Sequence, residues 1–156
     1  MTILEGIKSI KDLPIENKRV FIRVDFNVPL EDGAITDDAR IREALPTLKH
    51  AIERGARVII ASHLGRPKPG KGPNGGVTEE MRKAFTLEPC GTRLAELLGC
   101  EVHMPDDCIG DSPKKVIHDL RAGQICLLEN LRFHAGEEKD DDTFAIEDRS
   151  WVSAVT

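Results

Sequence analysis

Four short apolar runs rich in β-branched residues, with stretches of helical period between them, constrain most strongly what this chain can become. They are Arg19-Val-Phe-Ile-Arg-Val24, Arg57-Val-Ile-Ile-Ala61, Cys100-Glu-Val-His-Met104 and Gln124-Ile-Cys-Leu-Leu128. None alternates cleanly between apolar and polar residues, which suits strands covered on both faces. After the first run, Ile41, Ala44, Leu45, Leu48 and Ile52 fall at i, i+3, i+4, i+7 and i+11, one apolar stripe on a helix. Pro46 interrupts that stripe and predicts a kink or two abutting helices. A second stripe, Leu87, Leu94, Leu97 and Leu98, closes at Gly99, where a left-handed C-cap fits. A third has Ser112 as N-cap and Pro113 at the first helical position, then Val116, Ile117 and Leu120, and ends at Gly123. Strands and helices in alternation predict an α/β fold: an open parallel sheet with crossover helices, Rossmann-like, in three α/β/α layers.

A length of 156 residues suits one domain, possibly with a fragment of another, and buries roughly 70 % of the unfolded surface. With 40 % hydrophobic and 31 % charged residues, disorder of the whole chain is excluded. Twenty-two Lys and Arg against 27 Asp and Glu give a net charge of −5, which excludes a generally basic nucleic-acid binder while leaving room for a local basic site. The apolar runs fall far short of the ~20 residues that span a bilayer. Residues 1–15 carry no secretory-signal pattern. Cys90, Cys100, Cys108 and Cys126 form no C-x-x-C pair and no zinc-finger spacing, so they are expected as reduced thiols. The expectation is a soluble, cytoplasmic domain with no membrane or nucleic-acid partner.

In open parallel sheets, ligands bind beyond the carboxyl ends of the strands. The first run leads there into Asp25-Phe-Asn27, the second into Ser62-His63-Leu-Gly65-Arg66-Pro67, and the fourth into Glu129-Asn130-Leu-Arg132-Phe-His134. The short third run is followed by Asp106-Asp107-Cys108, which is less telling. Arg40, which opens the first helix after the loop Glu31 to Asp37, reaches the same edge. Three guanidinium forks there (Arg40, Arg66, Arg132) suit a small ligand bearing phosphate or carboxylate. Singly, each residue has a plainer role: a solvated arginine, a turn-forming Asp25 or Asn27, a strand Arg23, a His134 that caps a turn. Placed on three separate strands by one geometric rule, they make a coherent set. Pro67 to Gly76 holds seven Gly or Pro in ten residues and predicts a mobile surface loop. Its Gly70-x-Gly72-x-x-Gly75 matches a dinucleotide fingerprint only formally, since no strand directly precedes it, no helix opens on its last glycine, and Pro73 lies inside it.

The runs Arg23-Val-Asp-Phe-Asn-Val-Pro-Leu30, Asp38-Ala-Arg40-Ile41, Ala61-Ser-His-Leu-Gly-Arg-Pro67, Asp107-Cys-Ile-Gly110 and Leu128-Glu-Asn-Leu-Arg-Phe-His134 resemble phosphoglycerate kinase, in that family's order and approximate spacing. The resemblance covers about residues 6 to 145. It implies a glycolytic phosphotransferase, usually monomeric, that moves a phosphoryl group between 1,3-bisphosphoglycerate and ADP to give 3-phosphoglycerate and ATP. The N-terminal domain binds the phosphoglycerate, the C-terminal domain binds the magnesium nucleotide, and a hinge joins them. Carried over by position, the substrate-binding set is Asp25, Phe26, Asn27, Arg40, His63, Leu64, Gly65, Arg66 and Arg132. Within it, Asp25 and Asn27 hold the glycerate end, His63, Arg66 and Arg132 form most of the patch for the non-transferred phosphate, and Arg40 is the catalytic residue beside the reacting carboxyl group. Phosphoryl transfer is served mainly by positioning and charge stabilisation, and an acyl phosphate leaves as a carboxylate, so such a site needs no strong general base.

After Ala145 the chain departs from the family pattern and reads Ile146-Glu-Asp-Arg-Ser-Trp-Val-Ser-Ala-Val-Thr156. The expected organisation is a partial N-terminal domain over residues 1–145 and an unmatched tail over 146–156, as if a frameshift had cut the frame short. The resemblance places the Mg-ATP or Mg-ADP site in the C-terminal domain, so this chain is expected to hold neither nucleotide nor metal. The acidic run Glu137 to Asp142 reads as a solvated helix start. Two functions are then open: the phosphoglycerate half of an active kinase, or a non-catalytic fragment that at most binds 3-phosphoglycerate weakly. Without later strands the sheet is expected to end in an unpaired edge and to leave the chain marginally stable.

Overall fold

The computed structural model describes residues 10–70, 72, 76–134 and, as backbone, 152–155. Gly75, the acidic run 137–142 and most of the tail lie outside the described residues, so the expectations made for them are not addressed. The four apolar runs are strands: β1 (Arg19–Arg23), β4 (Arg57–Ala61), the two-residue β5 (Val102–His103) and β6 (Ile125–Leu127). Between β1 and β4 come a two-strand hairpin of β2 (Leu30–Glu31) and β3 (Ala34–Ile35), then helix α1 (Ala39–Glu53). Helices α2 (Glu79–Phe85) and α3 (Glu88–Leu98) precede β5, α4 (Asp111–Asp119) precedes β6, and a last strand β7 spans Val152–Val155.

The main sheet is parallel throughout, in the order β5-β6-β4-β1-β7. Val20, Ile22, Val58, Ile60, Ile125 and Leu127 share a core with Ile41 and Leu48 of α1 and Leu94 of α3. The alternate residues Ile59, Ala61 and Cys126 pack on the other face with Val116 and Ile117 of α4. This period-2 division, with helices on both faces, is the expected α/β/α layering. The chirality of parallel crossovers accounts for it: β1 to β4 and β4 to β5 step one way across the sheet, β5 to β6 steps back, and right-handed connections then place α4 opposite α1 and α3.

Several local expectations need correction. Helix α1 runs as a single element through Pro46 rather than as two abutting helices, and Pro46 sits on the exposed face, so the missing hydrogen bond falls on the solvent side. Gly110, not Ser112, is the N-cap of α4, and Ser112 Oγ instead accepts from Asp106 N at 3.2 Å. The stretch 31–37 holds a hairpin turn with Asp32 at φ 51° and Gly33 at φ 79°, both positive as a tight two-residue turn requires. Helix α2, capped by Thr78, had no apolar stripe to announce it; none of its residues is buried. Strand β1 is well buried on one face only, with Arg19 and Phe21 intermediate and Arg23 exposed on the other. Beyond β1 the sheet carries β7 in parallel register, Val20 opposite Val152 through Arg23 opposite Val155, and β7 is the outermost strand on that side. An edge strand offers backbone groups to any extended segment regardless of its side chains.

Candidate functional site

All three strand ends named above converge on the carboxyl edge of β1, β4 and β6. Asp25 follows β1, where its Oδ1 accepts from Asn27 N at 3.0 Å, an Asx turn that reverses the chain. Phe26 is fully buried, and its N–H donates to Ser62 Oγ at 2.9 Å. Asn27 then reaches across to the β4 loop, its Oδ1 accepting from Gly65 N at 2.8 Å. Arg40, in the first turn of α1, donates through one nitrogen to both Asp25 oxygens at 2.9 and 3.0 Å and to Asn27 O at 3.0 Å. The start of α1 is itself anchored. Asp37 Oδ1 accepts from Ala39 N at 2.9 Å, and Asp38 takes Arg42 at 3.0 Å and Arg93 of α3 at 2.9 Å. Hydrogen bonds from Arg42 and then Arg93 hold the Asp38 carboxyl below its ordinary range.

Beyond β4, Leu64 is buried, His63 half-buried and Arg66 exposed. Gly65 takes φ 62°, a conformation that favours glycine. Arg132, in the 3₁₀ turn Leu131–Phe133 after β6, donates from one terminal nitrogen to Gly65 O at 2.9 Å. Its Nε is buried without a hydrogen-bond partner among the described residues. The Nε of Arg57, at the amino end of β4, shares that property, so the orphan acquires meaning from its place on the carboxyl edge. Arg66 has no ion-pair partner among the described residues. The structure therefore joins Asp25, Asn27, Arg40, Gly65 and Arg132 into one chain of contacts, and sets Phe26 and Leu64 beneath it. His63 and Arg66 lie on the same loop after β4.

Three residues at these strand ends carry weight that the sequence reading did not assign. Ser62 receives the Phe26 amide. Glu129, 7 % exposed, accepts from Thr86 Oγ1 at 2.6 Å, Leu87 N at 2.7 Å and Asn130 N at 2.9 Å. Asn130, fully buried, bonds Leu64 O, Phe85 O and Arg132 N. The signal was a polar residue directly after a buried apolar strand, where burial demands partners. The far end of the turn is braced as well. His134 Nε2 lies 2.7 Å from Asp107 Oδ1, which also accepts from Cys108 N at 2.7 Å, and Arg82 NH2 stands 3.5 Å from Asp107 Oδ2. Burial raises the Asp107 pKa, but the His134 hydrogen bond, the Cys108 amide and the charges of His134 and Arg82 outweigh it, leaving the carboxyl below its ordinary range. Asp107, Cys108 and His134 offer three donor atoms within 4.8 Å, enough for a soft metal ion. The Arg82 guanidinium already supplies the positive charge there, and the set reads as a brace.

The N–H groups of Gly70 and Gly72 both donate to Gly76 O at 2.9 Å, β4 has ended at Ala61, and α2 opens on Thr78. A separate open groove of about 1220 Å³ lies between α2, α3 and residues 101–112, with Arg82, Glu101, Met104 and Asp106 among its lining, and none of the expected site residues lines it. Among the described residues, no helix is long and apolar enough to cross a membrane.

Comparison with known proteins gives the family. The family model for phosphoglycerate kinase matches residues 10–153. The chain is 56 % identical over 143 residues to the phosphoglycerate kinase of Anaeromyxobacter dehalogenans strain 2CP-1, covering 91 % of this chain and 34 % of that protein. It is 55 % identical over 141 residues to the enzyme of Rippkaea orientalis, covering 90 % and 33 %. The crystal structure of phosphoglycerate kinase from Pyrococcus horikoshii superposes with a TM-score of 0.67 at 37 % identity, over 81 % of this chain and 28 % of that one. The Coxiella burnetii structure gives 0.67 at 38 %, over 88 % and 31 %. The chain thus spans about a third of the length of the curated relatives it matches. On its motifs, its parallel α/β sheet and these matches, the chain belongs to the phosphoglycerate kinase family.

Proposed function

We propose that this chain builds the phosphoglycerate-binding half-site of a glycolytic phosphotransferase acting between 1,3-bisphosphoglycerate with ADP and 3-phosphoglycerate with ATP. The observation that carries the reading is Arg132: its guanidinium is tied to Gly65 O by one nitrogen and holds a buried Nε with no partner among the described residues, on the edge where Arg66 also lies. A buried charged donor without an acceptor is costly, and a ligand oxyanion would satisfy it. In this reading Arg132, Arg66 and His63 take the non-transferred phosphate. Asp25 and the free amide side of Asn27 take the glycerate hydroxyl, over a floor made by Phe26, Leu64 and Gly65. Arg40 turns from Asp25 toward the reacting carboxyl group, where it offsets charge on the phosphoryl group in flight.

The magnesium nucleotide belongs, in the same reading, to the part of the relatives that this chain does not span. The 156 residues alone then bind 3-phosphoglycerate weakly and do not make ATP. A reducing, cytoplasmic setting goes with the reading, because all four cysteines are unbridged and three are buried.

Calorimetric titration of the purified chain tests it. 3-Phosphoglycerate should bind and D-glycerate should not. Arg132→Ala should weaken binding roughly 10- to 150-fold, the equivalent of one charged hydrogen-bonding contact of about 1.5–3 kcal/mol. A coupled assay for ATP at high protein concentration should stay at background. Equal binding of glycerate and 3-phosphoglycerate, or ATP formation abolished by Arg40→Ala, would refute it.

A further inference from the structure

The buried amide of Asn130 connects every loop that bears an expected phosphate ligand. Its Nδ2 donates to Leu64 O at 2.8 Å and to Phe85 O at 2.9 Å, and its Oδ1 accepts from Arg132 N at 3.0 Å. Chemistry fixes the orientation of the amide: flipped, it would aim its oxygen at two carbonyl oxygens and its NH2 group at an N–H. Both donor hydrogens are used, and no water reaches the group, which is 0 % exposed. Leu64 immediately precedes Gly65, whose carbonyl receives the Arg132 guanidinium at 2.9 Å. One side chain therefore sets the separation between the backbone of Arg132 and the loop 63–66 that carries His63 and Arg66. Glu129 seats the same turn from behind through Leu87 N and Asn130 N.

We propose that Asn130 is a positioning residue for anion binding: it touches no ligand, and holds Arg132 and the His63–Arg66 loop at the spacing that one phosphate group bridges. The proposal rests on the phosphoglycerate reading and deepens it. Asparagine is required because only an amide supplies two donors and one acceptor on a planar head of this size. Aspartate keeps the shape and the acceptor but puts one oxygen, without a donor hydrogen, where the NH2 group faced both the Leu64 and Phe85 carbonyls. The loop must then move away from Arg132, and the two halves of the patch separate.

The test is a double-mutant cycle on the full 156-residue chain, with 3-phosphoglycerate titrated at pH 8 and folding checked by thermal melts. Asn130→Asp should weaken binding at least tenfold in the wild-type background and no more than about twofold in Arg132→Ala, because it acts through Arg132. A tenfold loss that persists in the Arg132→Ala background, or none in either, overturns the proposal. Lowering the pH should restore part of the Asn130→Asp affinity relative to wild type, since a protonated carboxyl regains one donor; a general loss of structure would not recover in this way.

Should the variant not fold, the wild-type chain supplies the measurement. Exchange of the Asn130 side-chain amide protons should slow on saturation with 3-phosphoglycerate, along with the Arg132 and Gly65 amides. Slowing confined to the latter two would overturn the role. If wild-type chain binds no 3-phosphoglycerate, the functional reading fails. The ligand-free spectrum then decides the positioning role: Asn130→Asp should shift the Gly65 and Arg132 amide resonances together, and unmoved resonances overturn it.

Discussion

Replacing Gly65 by alanine perturbs the junction of the expected phosphate patch in two separable ways. At φ 62° an L-residue pays a backbone penalty of about 1–2 kcal/mol. A Cβ there would also lie 2.5 and 2.6 Å from two carbons of the Phe85 ring, far inside contact distance, so the ring or the loop must shift. Overpacking of this kind adds about 1–3 kcal/mol, for a total of about 2–5 kcal/mol. At about 2–4 °C per kcal/mol for a chain of this size, the melting temperature should fall by roughly 4–20 °C. Gly33 supplies the control, because it has φ +79° with nothing within 4 Å of a built Cβ, and its alanine variant bears the backbone term alone. Thermal unfolding followed by circular dichroism should therefore separate the two variants by about 1–3 kcal/mol. The same loop shift would loosen Gly65 N from Asn27 and Gly65 O from Arg132, so affinity for 3-phosphoglycerate should drop in the Gly65 variant and hold in the Gly33 one. Equal destabilisation by both substitutions, within about 0.5 kcal/mol, would show that the Phe85 contact is not what constrains Gly65.

Asp107 has a lowered pKa in the fold, so its contribution is present above the unfolded value of about 3.9 and is lost as pH falls through the folded value. Asp107→Asn should cost about 1–3 kcal/mol at pH 7, as measured by denaturant unfolding, and the gap to wild type should close below about pH 4; a gap constant with pH would count against the brace. Thiol titration of the native chain should give one fast-reacting group, exposed Cys100, and three slow ones, since burial pushes Cys90 and Cys126 up to about 12 and Cys108 higher still. More than one fast thiol would mean that the core opens readily. Arg40→Ala should barely move the melting temperature, because the Arg40–Asp25 pair is about half exposed at 48 % and 55 % and such pairs contribute about 0–1 kcal/mol. A loss above about 2 kcal/mol would assign that pair a structural role.

The sequence by itself determined the elements whose causes are local. Runs such as Arg57–Ala61 could bury themselves only as central strands, the stripe from Ile41 to Ile52 could only be a helix on a core, and Gly99 at φ 70° ends α3 where it was expected. The carboxyl-edge rule then brought Asp25, Asn27, Arg40, Gly65 and Arg132 within reach of one another before any distance was known. Tertiary structure alone decided the rest. Insertion of β6 between β4 and β5, and the pairing of β7 on β1, depend on backbone hydrogen bonds that carry no side-chain signature. Helix α2 has no buried residue, so no apolar period marked it, and Thr78 capping became visible only in place. Asn130 and Glu129 looked like any polar residues after a strand. Their roles come from partners 42 to 66 residues away in the chain, and only folding brings those partners to an amide and a carboxylate that cannot be buried without them.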